Sequence, residues 1–163
     1  MRIVIISDIH DNLVNLGKCL DWCRKNKIDN IIFCGDLTNS ETLNFLSNEF
    51  DGDIYLVRGN IEIYDEDEVR EYENIKYFGR AGRFELDGKF IGVCHELYLV
   101  EKVLEKRKCD IVFYGHTHRP WTSEKHDVKI VNPGTLGGML AKATFATWKP
   151  KSEKLELKLL DTL

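Results

Sequence analysis

The chain is poor in proline, in cysteine pairs and in long apolar runs. Its 3 prolines in 163 residues are too few for a proline-rich linker or recognition segment, whose stiffness comes from many locked φ angles. The 5 cysteines, Cys19, Cys23, Cys34, Cys94 and Cys109, are odd in number and contain no C-x-x-C pair. That pattern fits reduced thiols and excludes a disulfide framework or zinc-finger spacing. The longest apolar runs, such as Ile3 to Ile6 and Ile111 to Tyr114, fall far short of the roughly 20 residues of a membrane span. No basic-then-apolar leader precedes a cleavage site, so a cytoplasmic protein with no membrane partner is expected. An excess of positive charge is missing too: Lys and Arg number 23 against 27 Asp and Glu, a formal charge of −4. Stable nucleic-acid binding, which needs many phosphates neutralised, is therefore not expected.

What is present is an ordinary globular composition, 43% apolar and 31% charged, which excludes disorder. The length suits one domain spanning 1–163 with a core of its own. A β-branched run, Arg2 to Ser7, reads as a strand buried on both faces. Apolar residues at Leu13, Leu16, Leu20 and Cys23 have helical spacing, and that helix should stop near Asn26-Lys27. Ile31 to Cys34 and Ile54 to Val57 repeat the strand pattern, with a helix over Glu41 to Asn48 between them. The order strand, helix, strand, helix, strand predicts parallel pairing with ligands beyond the carboxyl ends of the strands. Tyr64 to Glu73 is acidic and lacks an apolar face, which predicts a solvated loop or short exposed helix. Gly82 to Leu86 and Phe90 to Cys94, joined by Asp87-Gly88, read as a hairpin. A helix from Leu99 to Lys108 and strands at Ile111 to Tyr114, Val128 to Val131, Ala143 to Trp148 and Leu155 to Leu160 complete the pattern. Trp22, Trp121 and Trp148 are expected to pack inside.

Five of these strands end in polar clusters: Asp8-Ile9-His10, Gly35-Asp36, Gly59-Asn60, His95 and Gly115-His116-Thr117-His118. Carboxylate, imidazole and amide oxygen together suit manganese, iron, cobalt, nickel or zinc, whereas calcium or magnesium would favour an all-oxygen set. Asp8, His10, Asp36, Asn60, His95, His116 and His118 exceed the four positions of one tetrahedral ion. Two divalent ions fit better, with the central Asp36 as bridging carboxylate. The glycines before Asp36, Asn60 and His116 allow sharp turns and close backbone approach. Cys34 and Cys94 read as small buried residues, Arg119 as an exposed arginine, and His126 as structural.

In this order and composition the clusters resemble the calcineurin-like metallophosphoesterases, whose pattern runs Asp-x-His, Gly-Asp, Gly-Asn, His, Gly-His-x-His. The short length and the segment Asn132-Pro133-Gly134-Thr135 look like the small single-domain prokaryotic phosphodiesterase branch, which is also similar to the scaffold subunit of the retromer coat. The resemblance implies an α/β fold, a four-layer α/β/β/α sandwich of two mixed sheets flanked by helices. It implies one ion on Asp8, His10 and His118, another on Asn60, His95 and His116, and Asp36 between them, with Asp36, Asn60 and His95 closest to the chemistry. A hydroxide shared by the two ions would attack the phosphorus of a small phosphoester in line.

Two departures from the family pattern bear on activity. Where relatives often carry a leaving-group histidine after Gly-Asn, this chain has Gly59-Asn60-Ile61-Glu62, and Ile61 donates no proton. General acid catalysis is typically worth about 10²–10⁴-fold, so activated diesters should be the better substrates. Where the small branch usually has His-Gly-His, the run is Cys94-His95-Glu96-Leu97, which removes one imidazole and shortens the segment. The rival reading is a metal-binding or catalytically weak interaction scaffold like the retromer subunit. A homo-oligomer is compatible with either.

Overall fold

The computed structural model describes residues 1–105 and 108–163. Runs of β-branched residues form two sheets. In the first, β1 (Ile3–Ile6), β2 (Asn30–Phe33), β3 (Asp53–Leu56) and β4 (Ile75–Tyr77) pair in parallel, and β10 (Thr144–Lys149) and β11 (Lys154–Leu159) add antiparallel strands on the other side of β1, in the order β11-β10-β1-β2-β3-β4. The second sheet has the order β5-β6-β7-β9-β8. It comprises β5 (Ala81–Leu86), β6 (Lys89–Cys94), β7 (Ile111–Phe113), β8 (Trp121–Lys125) and β9 (Val128–Asn132), antiparallel at both edges and parallel in its middle.

Helices α1 (Leu13–Lys25) and α2 (Ser40–Glu49) cover the outer face of the first sheet, and α4 (Leu99–Glu105) covers the second. Three apolar layers result. Leu16, Leu20, Leu43 and Leu46 pack on Val4, Ile6, Phe33 and Phe145 beneath the helices. Ile3, Ile5, Ile32, Val93, Phe113 and Trp148 fill the space between sheets, and Val100, Val103, Val112 and Ile130 lie under α4. All four residues of β1 are fully buried because both of its faces are covered. Asn12 and Asn39 start α1 and α2 by accepting the N–H groups of Asn15 and Thr42. The four-layer α/β/β/α arrangement of two mixed sheets agrees with the expectation from sequence.

Three local expectations need correction. Trp121 is 64% exposed, because it lies on β8, an edge strand whose residues are all exposed. The acidic stretch does contain a short helix, α3 (Glu66–Val69), but Tyr64 and Val69 are buried in the core beneath it, so it is anchored and not simply solvated. Strands β4 and β8 have no strong periodic signal and were not expected. The continuation of α4 beyond Glu105 to Lys108 falls partly on residues 106–107, which lie outside the described residues.

Candidate metal centre

The predicted clusters meet at one edge of the sandwich because parallel β1, β2, β3, β6 and β7 all end there. Their loops are locked to one another by main-chain bonds. The Asp8 N–H donates to the Gly35 carbonyl at 2.9 Å, and those of Ile9 and His10 donate to the Asp36 carbonyl at 2.9 and 3.1 Å. Asp8, His10, Asp36, His116 and His118 all adopt left-handed backbone, with φ of 54°, 48°, 61°, 69° and 57°. Such conformations cost about 1 kcal/mol or more each for residues with a Cβ, and persist only where the surroundings over-determine them. Gly35, at φ 93°, has no such cost, and a Cβ there would lie 2.9 Å from His95 Nδ1. A Cβ on Gly59 would collide with the Asp36 carboxylate.

Two groups of ligand-type side chains result: Asp8, His10 and His118, and Asp36, His95 and His116, each with donor atoms within 4.8 Å of one another. In the first, His10 Nε2 and His118 Nε2 are 3.0 Å apart, and lie 3.7 and 3.2 Å from Asp8 Oδ1. In the second, His95 Nε2 is 3.1 Å from Asp36 Oδ2. Asn60 joins this group, since its Oδ1 lies 2.9 Å from both His95 Nε2 and His116 Nδ1. All seven residues singled out in the sequence are therefore brought together, His95 included despite its shortened segment.

The donors fit divalent ions on three counts. Asp8 is fully buried, yet its Oδ1 has no hydrogen-bond partner among the described residues, and a buried carboxylate oxygen is not left bare without cost. Separations near 3 Å match the edge of a coordination shell whose ligands sit about 2.1 Å from an ion. Finally, the ring orientations are fixed from behind. Because a carbonyl only accepts, His95 Nδ1–H donates to the Cys34 carbonyl at 2.7 Å and His118 Nδ1–H to that of Met139 at 3.2 Å, leaving each Nε2 for a cation.

Charge in the metal-free site follows the same geometry. For Asp36, burial pushes the carboxyl up, but His95 and the Ile61 N–H (3.2 Å to Oδ1) together hold it below 3.8. For His95, burial favours the neutral ring, and the Asp36 carboxylate outweighs that and raises it above 6.5. The Asp8 carboxylate beside His10 raises that imidazole likewise, against burial. Cys34 and Cys94 are buried; burial pushes the Cys94 thiol up to about 12, so neither sulfur is a thiolate ligand near neutral pH. Arg119 is exposed at the margin.

Two supports lie behind the ligands. Thr135 Oγ1 donates to the Asp8 carbonyl at 2.9 Å, and Asn132 Nδ2 to that of Gly115 at 2.7 Å, so the Asn132 to Thr135 segment holds two ligand loops at once. Glu62, not singled out from the sequence, is buried. Its carboxylate accepts the N–H groups of Leu37, Thr38 and Gly59 at 3.1, 2.6 and 3.2 Å. It thereby ties the Asp36 loop to the Asn60 loop. An acid two residues after Asn60 was the only available signal.

A sandwich of two mixed sheets with two carboxylate-imidazole groups at the strand ends defines a class of metal-dependent phosphoester hydrolases. Residues 1–153 match the calcineurin-like phosphoesterase superfamily domain, and the chain belongs to that family. It is 26% identical over 157 residues to the phosphodiesterase MJ0936 of Methanocaldococcus jannaschii, covering 86% of this chain and 87% of that protein. Its fold superposes on the structure of an archaeal phosphodiesterase with a TM-score of 0.86 at 24% identity, over 98% of this chain and 99% of the other. It also superposes on Vps29 of Chaetomium thermophilum, with a TM-score of 0.70 at 19% identity over 98% and 95% of the two chains.

Proposed function

We propose that the protein is a two-metal phosphodiesterase acting on a small phosphoester, with Asp8, His10 and His118 holding one ion, Asn60, His95 and His116 the other, and Asp36 serving both. The observation that carries this reading is the bare Asp8 Oδ1, buried and facing two imidazole Nε2 atoms with no hydrogen-bond partner among the described residues. The donor set suits manganese, iron, cobalt, nickel or zinc. Ions bound there supply positive charge for the phosphoryl oxygens and bring the pKa of water toward neutrality.

The residues do the rest. Asp36 is held by the Ile61 N–H on one oxygen and faces His95 with the other, so its direction is set before any ligand arrives. Asn60 points its Oδ1 at the two imidazoles, which leaves its amide N–H₂ to donate to a phosphoryl oxygen. Asp8 Oδ2 accepts the His116 N–H at 3.0 Å and so couples the two groups. Ile61, 39% exposed beside Asn60, offers no proton to the departing oxygen, which favours diesters with good leaving groups.

Manganese- or nickel-loaded protein should hydrolyse an activated aryl phosphodiester, and Asp36→Asn or His116→Ala should remove most of that activity. A folded, metal-replete wild type no faster than those variants would overturn the reading. The rival is a scaffold like Vps29, favoured by one observation: Ile61 and Ile63 are exposed beside the site and give it an apolar rim. A scaffold would bind metal with the same residues and hydrolyse nothing.

A further inference from the structure

Strand β11 is the outer strand of the six-stranded sheet, so one row of its main-chain groups faces away from β10. The phase of that row can be read from its end. The Leu160 N–H donates to the Ala143 carbonyl at 2.9 Å, continuing the pairing of Leu159 with Thr144. The Thr144 N–H turns the other way, to the Thr135 carbonyl. Bonding direction alternates along an antiparallel strand. Lys154, Glu156 and Lys158 therefore bond toward β10, and Leu155, Leu157 and Leu159 present N–H and C=O at the open edge. Of that row, the Leu159 carbonyl also accepts Thr162 Oγ1 at 3.0 Å.

The side chains carry a second pattern. Leu155, Leu157 and Leu159 share the face that looks between the sheets, and the second sheet does not cover all of it. Leu157 and Leu159 are 49% and 39% exposed. Leu155 and Leu157 line an open cleft of about 310 Å³ with Pro120 and the exposed Trp121. On the opposite face stand Lys154, Glu156 and Lys158, with Glu156 between the two lysines at 2.8 and 3.5 Å. An open edge bearing leucines is a template for another strand.

We propose that this strand pairs with a second copy of the chain, β11 against β11 in antiparallel fashion about a two-fold axis at Leu157. The sequence Lys-Leu-Glu-Leu-Lys-Leu selects that axis. It sets Glu156 opposite the partner's Lys158, Leu155 opposite the partner's Leu159, and Leu157 opposite its own copy. An axis at Glu156 sets Glu156 against itself and Lys154 against the partner's Lys158, which is repulsive. A shift by a single residue sets leucine against charge. The chosen register is also the one that uses the open groups, because every leucine pair exchanges its outward N–H and C=O. Both sheets then continue across the axis as one, and the exposed leucines and Trp121 of the two copies meet.

Sedimentation equilibrium of the metal-loaded protein tests the pairing. The expected mass is twice the 18.9 kDa of the chain. Glu156→Lys and Lys158→Glu should each weaken association about tenfold or more, and the double exchange should restore it. As a second readout, Leu157→Cys lies on the axis, where hydrogen-bonded partners have Cα atoms about 5.5 Å apart. Mild oxidation should crosslink it, while Glu124→Cys on β8 should not crosslink. A wild type that stays monomeric at high concentration overturns the proposal. So does association indifferent to both charge reversals, or a Leu157→Cys protein that folds and associates without crosslinking.

Discussion

In the half-site of Asp8, His10 and His118, two imidazole nitrogens face each other at 3.0 Å beside a carboxylate oxygen that has no hydrogen-bond partner among the described residues. In the half-site of Asp36, Asn60, His95 and His116, both Asp36 oxygens, Asn60 Oδ1 and both ring nitrogens of His95 have protein partners. Asn60 Oδ1 lies 2.9 Å from two ring nitrogens, Asp36 takes His95 and the Ile61 N–H, and His95 is pinned from behind by the Cys34 carbonyl. The first half is incomplete as protein, and the second is knitted together before any ion arrives. The difference separates two duties. On the proposed two-metal reading the first half-site serves a cation alone, whereas the second also holds the loops of β2, β3 and β6 in place.

Substitutions should break the two halves differently. Asp36 touches both duties, so Asp36→Asn is expected to lower the rate on an activated diester by about 10³-fold or more, the equivalent of several kcal/mol of transition-state charge stabilisation. Next come the paired histidines. His95→Ala should abolish activity and also cost about 2–4 kcal/mol of stability, since it leaves a cavity and an unpaired buried carbonyl. His118→Ala should lose comparable activity with a change in stability of about 0.5 kcal/mol or less, because its ring is partly exposed. Urea titrations beside the assays read both quantities. Equal stability losses for the two would remove the distinction drawn between the halves.

A smaller effect is expected behind the ligands. Glu62→Gln exchanges an acceptor oxygen for an N–H₂ that faces main-chain donors, which should cost about 1–3 kcal/mol and roughly 10-fold in metal affinity through the displaced loops. Unchanged metal affinity in the folded variant would show that Glu62 does not position the site. The smallest effect concerns pH. His10 and His95 are raised above 6.5 in the metal-free protein, so the stability from their carboxylate contacts is fully present below about pH 6.5. It is lost as pH rises through their folded values. Chelated protein should therefore unfold more readily at pH 8 than at pH 6. Metal-loaded protein should show the reverse, because an ion binds only the deprotonated ring. Asp36, held below 3.8, contributes stability above about pH 3.8 that disappears as pH falls through its folded value.

Much of this was legible in the sequence. The apolar runs Ile3 to Ile6 and Ile111 to Phe113 read as strands covered on both faces, and polar residues directly after parallel strands gather at one sheet edge. Hence the residues of the candidate site could be named before the fold was seen. Glu62 could not, because it acts through main-chain N–H groups of Leu37, Thr38 and Gly59 that leave no side-chain pattern. Trp121 and β8 were missed for a related reason: an exposed edge strand, Trp-Thr-Ser-Glu-Lys, has no buried face to impose alternation. The left-handed φ at Asp8, His10, Asp36, His116 and His118 was not read from the sequence, since the enrichment of Asp and His in that region is too weak to single out a position. The phase of the β11 edge, too, comes from one main-chain bond at Leu160.

The most direct measurement is metal titration of the chelated protein, followed at each loading by the rate on an activated aryl phosphodiester. Two ions per chain, with hydrolysis appearing as the second is bound and absent in Asp36→Asn, is the expected result. Full loading of the folded wild type with no hydrolysis above that variant would contradict it and leave the scaffold reading in its place.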